Sequence, residues 1–188
     1  MGADRRAVDV LAPAVVLAEA SGQPDRGAEV AVHADADRIA LSWPGGSTST
    51  ALPAAPFPDD RVRKLLEAVI DSTVLVEADV LAGAVRRAVP YAGAHGSVTL
   101  QLHDGELRVR GSDPQAGESE ESVKATIDGN RVTKTFQARY LADALRAFSG
   151  RPVELRIQDG LRSTVLTSPT GVDGMELTYL VVPLRTNP

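Results

Sequence analysis

The chain has 188 residues, of which 43% are hydrophobic and 24% are charged, and its formal net charge is −5. This composition is typical of a globular protein with one or two domains, and the absence of cysteine excludes disulfides, thiolate nucleophiles and thiolate metal sites. The negative net charge argues against DNA adhesion by the whole surface, so any DNA contact would need a local basic patch.

Residues 8–70 contain the first of three similar segments. A short strand at residues 8–10 is predicted to precede a helix that starts near Pro13 and ends at Gly22, which we expect in the left-handed conformation. Alternating apolar residues then predict a hairpin with a polar turn around residues 35–37. A third strand is expected around residues 47–52.

The second segment starts with a predicted strand at residues 73–76 and a helix that Asp79 is expected to cap. The helix follows from an apolar stripe at positions i, i+3, i+4 and i+7, formed by Leu81, Ala84, Val85 and Ala88. A hairpin turning at residues 104–105 and a strand around residues 122–127 complete the segment. The acidic run at residues 113–121 is interpreted as a solvated hairpin loop, the alternative being a surface that attracts a basic partner.

The third segment repeats this order. A strand at residues 133–136 precedes a helix whose stripe is Leu141, Ala144, Leu145 and Phe148, and Gly150 is expected to end that helix in the left-handed conformation. A hairpin turning at residues 159–160 and a last strand at residues 177–184 follow.

Three strand, helix and three-strand units therefore predict an α+β fold with antiparallel sheets packed on helices. One unit alone has too little surface to bury a core, so the units should pack together. We expect a half domain at residues 1–70 and a complete domain at residues 71–188.

From residue 71 onward the chain resembles the last domain of the bacterial DNA polymerase III beta subunit, the sliding clamp. The matching stretches are residues 73–89, 98–110, 118–121, 136–145 and 179–185. Residues 49–60, with the Phe57, Pro58 and Asp59 sequence, are similar to the end of the family's middle domain. The resemblance implies a DNA-clamp-like fold in which each domain pairs two such units about a pseudo-twofold axis.

The resemblance also implies two functional surfaces. The first is a groove that captures short partner peptides, lined by Pro58, Tyr140, Val165, Leu180, Val181, Val182, Pro183, Leu184 and Arg185. The second is a DNA-facing helical side that carries Arg86, Arg87, Arg139 and Arg146, where cations compensate phosphate charge without recognising bases. For the apolar ending, the alternative is a strand that only completes the core.

No catalytic motif is present, so we expect neither enzyme activity nor a cofactor or metal. We also expect a cytoplasmic protein, because the sequence has no apolar run of membrane-spanning length and no secretory signal.

Two functions stay open at this stage. One is a non-catalytic clamp-like module that binds protein partners in DNA transactions, with weak or no DNA binding by this chain alone. The other is the dimerisation or ligand-sensing part of a transcriptional regulator whose DNA-binding segment lies outside this chain.

The odd number of units has a further consequence. If the second and third units pair within the chain, residues 8–70 are left with an unpaired sheet edge and an apolar helix stripe, and such features are covered or used for association. We therefore expect a homodimer through residues 8–70, with an isologous interface.

Overall fold

The computed structural model describes residues 10–67 and 69–185. The chain divides into two compact units, Met1–Asp60 and Arg61–Pro188. Residues 8 and 9 of the first predicted strand lie outside the described residues. The division into folding domains at residues 1–70 and 71–188 stays a prediction.

The described residues form four α-helices and twelve strands. The helices are α1 Ala14–Ser21, α2 Asp59–Leu66, α3 Ala78–Ala88 and α4 Ala138–Arg146. The strands of the first unit are β1 Ala31–Ala34, β2 Arg38–Trp43 and β3 Gly46–Ala51. The strands of the second unit are β4 Ser72–Glu77, β5 Ser97–His103, β6 Glu106–Asp113, β7 Gly117–Lys124, β8 Thr126–Gly129, β9 Thr133–Gln137, β10 Pro152–Ile157, β11 Thr164–Thr167 and β12 Thr178–Val181.

The first unit contains α1 and an antiparallel sheet in the order β1-β2-β3, as its alternating pattern predicts. The Asp35 carboxylate closes the β1–β2 turn by accepting the N–H groups of Asp37 and Arg38, at 2.9 and 2.8 Å. The left-handed end predicted at Gly22 is wrong, since its φ is −88°. The Gly22 N–H donates to the Glu19 carbonyl at 3.3 Å, so a right-handed turn is enough to end the helix.

The second unit consists of two antiparallel sheets, in the orders β12-β11-β10-β4-β8 and β7-β6-β5-β9. The strand that begins each repeat lies in the sheet of the other repeat, because β4 pairs with β10 and β9 pairs with β5. This exchange joins the two repeats through backbone hydrogen bonds. The predicted α+β class is confirmed.

One core fills the second unit. The predicted helix stripes lie in it, and α3 packs against α4. Leu81, Leu141, Leu145 and Phe148 are each fully buried. The same cluster includes Val74 of the five-stranded sheet and Leu100 of the four-stranded sheet, so both sheets share one core with both helices.

The loop predicted at residues 113–121 is wrong. β6 extends to Asp113 and β7 begins at Gly117, which leaves only residues 114–116 as the turn. Acidic residues are tolerated in this strand because their cross-strand neighbours are cationic: Arg110 contacts Glu118 at 2.7 Å and Arg108 contacts Glu120 at 4.0 Å. The single strand predicted at 122–127 is likewise divided between β7 and β8, which lie in different sheets.

Asp79 does not cap α3, so that prediction is also wrong. The residue at the cap position is Glu77, and the Asp79 carboxylate instead accepts the Ser149 hydroxyl and the Gly150 N–H, both at 2.8 Å. Gly150 has φ +75°, the left-handed value predicted for it. The start of α3 is thus tied to the end of the neighbouring helix α4.

Lys134 on β9 is a charged side chain inside the fold, only 3% exposed. Its ammonium group donates to the carbonyl oxygens of Gly160 and Arg162 in the loop between β10 and β11. Burial lowers the pKa of Lys134 below the ordinary value of 10.5, while the negative charges of Asp159 and Asp71 act in the opposite direction.

This lowered pKa predicts a stability that depends on pH. Between the folded pKa and 10.5 the unfolded chain binds more protons than the folded chain, so this group makes the free energy of unfolding rise with pH. We expect urea titrations between about pH 8 and the ordinary lysine pKa to show this rise in the wild type and a weaker one in Lys134→Met. Equal pH slopes in the two proteins would contradict the assignment.

Candidate functional site

An apolar groove of about 410 Å³ lies at the C-terminal end of the second unit. Its walls come from the end of β9, the first turn of α4, the strand β12 and the segment that follows it. The lining residues are Gln137, Tyr140, Tyr179, Leu180, Val181, Val182, Pro183 and Leu184. None of them is charged, so the groove is suited to apolar side chains.

The groove exists because the chain changes sheets after β12. Leu180 and Val181 pair with Val165 and Thr164 of β11, and the next residues leave this ladder. Pro183 has no N–H to donate, and the Leu184 N–H donates at 2.7 Å to the carbonyl of Thr135 on β9, in the other sheet. Val182 and Pro183, which connect the two sheets, are among the residues that line the groove.

Buried and exposed side chains alternate along residues 181–183. Val181 and Pro183 are buried, whereas Val182 between them is 60% exposed. The core therefore explains Val181 and Pro183 but not the apolar side chain at position 182.

Tyr140 and Arg139 form a stacked pair at the α4 side of the groove. The Arg139 Cζ lies 4.6 Å from the centre of the Tyr140 ring, within cation–π range. An Arg139 Nη donates to the Tyr140 hydroxyl at 2.8 Å. Tyr140, which is 52% exposed, thus has a cation beside its ring.

The structure brings together six of the nine residues predicted for the groove: Tyr140, Leu180, Val181, Val182, Pro183 and Leu184. Val165 is buried and pairs with Leu180 across the β11–β12 ladder, and Arg185 is exposed just past the lining. Pro58 belongs to the first compact unit and is exposed there. Gln137 and Tyr179 also line the groove, but they were not predicted from the sequence. Tyr179 lies two residues before Val181 in β12, a spacing that places both on the same face of the strand.

The four arginines predicted to face DNA do not all line the same groove. Arg86, Arg139 and Arg146 line a second groove, of about 550 Å³, along α3 and α4, together with Asp79 and Asp143. Arg146 also contacts Asp143 at 2.7 Å. The three cations therefore share their groove with two carboxylates.

Arg87 lies apart from that groove. Its guanidinium holds Glu121 of β7 in a two-point contact, with Nε–Oε2 at 2.8 Å and Nη2–Oε1 at 2.6 Å. This contact holds the pKa of the Glu121 carboxyl below its usual range. Arg87 is therefore a link between α3 and the four-stranded sheet.

Within residues 10–67 and 69–185, no three His, Asp or Glu side chains are grouped as metal ligands. No helix in this described part of the chain is long and apolar enough to cross a membrane.

The sequence of this chain is similar to those of known proteins. The family described as DNA polymerase III beta subunit, C-terminal domain, matches residues 63–185. The beta sliding clamp of Proteus mirabilis is 28% identical over 130 residues, covering 69% of this chain and 34% of that protein. The beta sliding clamp of Synechocystis sp. is 32% identical over 87 residues, covering 46% of this chain and 22% of that protein.

Solved structures show the same fold. The beta subunit from the DNA polymerase of Streptococcus pyogenes superposes with a TM-score of 0.84 at 24% identity, covering 99% of this chain and 51% of that one. A DNA polymerase sliding clamp from Pseudomonas aeruginosa, solved with a ligand, gives 0.79 at 23% identity, covering 92% and 45%. The chain spans about half the length of these structures and a smaller share of the two curated relatives.

Proposed function

The chain belongs to the DNA polymerase III beta subunit family, whose C-terminal domain it matches over residues 63–185, and on this premise we propose that it is a non-catalytic clamp-like module that binds protein partners. The observation that carries this proposal is the uncharged groove formed by Tyr140 and the segment after β12. A cytoplasmic location belongs to the same proposal.

The groove has the properties that a short peptide needs. Its volume of about 410 Å³ accommodates a few apolar side chains, and small-ligand and peptide sites are concave and mostly apolar. Its polar side-chain groups, the Gln137 amide and the hydroxyls of Tyr140 and Tyr179, belong to residues that line the groove with apolar side chains, and they can orient a peptide backbone. Because core packing does not account for the exposed Val182, a partner is the better explanation for it.

We expect Val182→Asp to weaken peptide binding about tenfold or more, because it places a charge against apolar ligand side chains. Suitable probes are acetylated, amidated nine-residue peptides in which Leu or Phe alternates with Ser, Gln or Asn, with affinities measured by calorimetry. Val182 is 60% exposed, so the folded state should tolerate the change.

Val80→Asp is the matched control, since Val80 is 50% exposed on α3 and does not line the groove. It should leave the affinity unchanged. The proposed function is contradicted if no peptide of the set binds the wild type, or if both aspartate variants bind as the wild type does.

For DNA, the arrangement supports at most weak binding by this chain alone. Arg87 is engaged by Glu121, and the remaining Arg86, Arg139 and Arg146 lie beside Asp79 and Asp143. Few phosphate contacts are therefore available, and binding strength in such contacts depends on their number and falls with salt. We propose that this chain is held near DNA only with the help of other protein segments or partners.

The first unit supports association with a second copy. In the second unit, the strand after each helix is paired on both sides: β5 lies between β6 and β9, and β10 between β11 and β4. The equivalent strand β1 is an edge of its three-stranded sheet, and Val32 within this strand and Val30 just before it are exposed. We propose that a second chain covers this edge in a homodimer through residues 8–70.

Size exclusion with light scattering at tens of micromolar tests the homodimer. We expect twice the chain mass of 19.8 kDa for the wild type, and a monomer for Val32→Lys, because a lysine on an edge strand opposes pairing with another strand. Val80→Lys should stay dimeric. A monomeric wild type, or a dimer insensitive to Val32→Lys, would contradict this interface.

The transcriptional-regulator hypothesis stays a prediction from the sequence.

A further inference from the structure

We propose that the groove selects peptides that carry an acidic side chain beside Tyr140, and that Arg139 is the residue that recognises it. This inference rests on the proposed peptide-binding function and adds the chemistry of the ligand. It follows from where Arg139 is held, which of its donors are available and which charges surround it.

Arg139 is held over Tyr140 by two contacts. The guanidinium carbon lies 4.6 Å from the ring centre, and one Nη donates to the tyrosine hydroxyl at 2.8 Å. Stacking on the ring fixes a guanidinium that would otherwise sample many rotamers. Tyr140 is a wall of the groove, so the cation is fixed at that wall.

The donors of Arg139 are only partly used. A guanidinium has five N–H groups, and the tyrosine hydroxyl accepts one of them. Among the described residues Arg139 makes no ion pair, whereas Arg87 is paired with Glu121 and Arg146 with Asp143. A planar guanidinium with open donors is well suited to a carboxylate.

The electrostatic surroundings favour a negative ligand group at this end. The eight lining residues carry no charge, so none of them offsets Arg139, and the carboxylates of Asp79 and Asp143 line the other groove that Arg139 borders. The first turn of α4 contains no acidic residue and has no side-chain cap. The helix dipole is therefore positive where Arg139 stands, and it adds to the charge of the side chain instead of being neutralised by one.

A peptide carboxylate is a better candidate for Arg139 than a DNA phosphate. Arg139 also borders the groove along α3 and α4, but its guanidinium is stacked on Tyr140, which lines the C-terminal groove and not the other one. Arg86 and Arg146 have no such contact with the C-terminal groove. The occupant is thus a peptide with apolar side chains and one aspartate or glutamate.

The experiment compares peptide pairs that differ by a single charge. In the nine-residue set described above, each polar position in turn carries Asp or Asn, and both members of each pair are titrated against the full chain at low salt. We expect the Asp peptide of at least one pair to bind about two- to fivefold more tightly than its Asn partner, the range of an exposed ion pair. The preference should decrease as salt is added.

Three variants test whether Arg139 causes the preference for the Asp peptide. Arg139→Gln should abolish the Asp preference while the Asn peptide still binds, and Arg139→Lys should retain part of it. Arg146→Gln is the matched control, since it removes the same charge from the same helix, and it should retain the preference in full.

Other outcomes would contradict the inference, and each would point to a different explanation. If both peptides of every pair bind the wild type equally, the groove binds peptides without charge selection and only this inference fails. If Arg139→Gln weakens both peptides equally, or weakens DNA binding and not the Asp preference, Arg139 only supports Tyr140 or contacts phosphate. If no peptide binds at all, the proposed function fails with it.

Discussion

Leu141→Ala should lower the free energy of unfolding by about 2–5 kcal/mol, the range measured when a buried leucine leaves a cavity. Leu141 is completely buried in the core shared by α3, α4 and both sheets. The surrounding sheets are joined by the exchanged strands β4 and β9, so we expect little collapse around the cavity. Urea titration followed by far-ultraviolet circular dichroism measures the loss.

Leu161→Ala is the control for this substitution, because Leu161 is 52% exposed. It should change the free energy of unfolding by no more than about 0.5 kcal/mol. A loss below about 1 kcal/mol for Leu141→Ala would show that the stripe of α4 does not face the shared core.

Gly129→Ala should also destabilise the fold, by about 2–4 kcal/mol. Gly129 ends β8 with φ +101°, a conformation that side-chain-bearing residues rarely adopt. A β-carbon there would overlap the carbonyl oxygen of Asp71 and lie 2.8 Å from the Cα of Ser72. Both neighbours are backbone atoms at the start of β4, so neither can swing away as a side chain would.

Gly117→Ala separates the cost of the positive φ from the cost of the steric overlap. Gly117 has nearly the same φ, +96°, but a β-carbon would meet nothing within 4 Å. It should therefore show only the conformational cost, about 1–2 kcal/mol. Equal losses for Gly117→Ala and Gly129→Ala in the same urea titrations would contradict the close approach of β8 to β4.

Local patterns were enough to predict the helices and hairpins of the second unit. Apolar residues at helical spacing identify α3 and α4, and alternation identifies β5, β6 and β10, because each element has one buried and one exposed face. The partners of β4 and β9 could not be predicted in this way. Exchange of strands between repeats depends on contacts far apart in the chain, and the alternation within a strand is the same whichever sheet it joins.

The errors at residues 113–121 and at Asp79 have a common cause. Acidic residues favour loops or helix starts when only the local sequence is considered. Here their partners are distant in sequence or on a neighbouring strand: Glu121 is held by Arg87, and Asp79 by Ser149 and Gly150. The helix α2 was missed although Asp59 and Asp60 begin it and Arg63 and Lys64 lie in its last turn, the charge order that suits a helix dipole.

The candidate groove was predicted in outline because the resemblance to the clamp family implies a peptide groove at Tyr140 and residues 180–184. The passage of the chain from one sheet to the other could not be predicted, since it depends on the hydrogen bond from the Leu184 N–H to the Thr135 carbonyl, which is distant in sequence. The Arg139 stack on Tyr140 was also missed, and Arg139 was instead grouped with the helix arginines that the family resemblance implies on a DNA-facing side. The direction of the Arg139 side chain, over the ring of Tyr140, distinguishes a role at the peptide groove from a role at the DNA-facing side.

A titration of the isotope-labelled chain with a peptide of the test set, followed by amide chemical shifts, examines the groove most directly. We expect the largest amide shifts at Tyr140, at residues 179–182 and at Leu184, which line the C-terminal groove, with little change in β5, β6 and β7. Shifts centred on Arg86 and Arg146, or no shifts with any peptide of the set, would contradict partner binding in this groove.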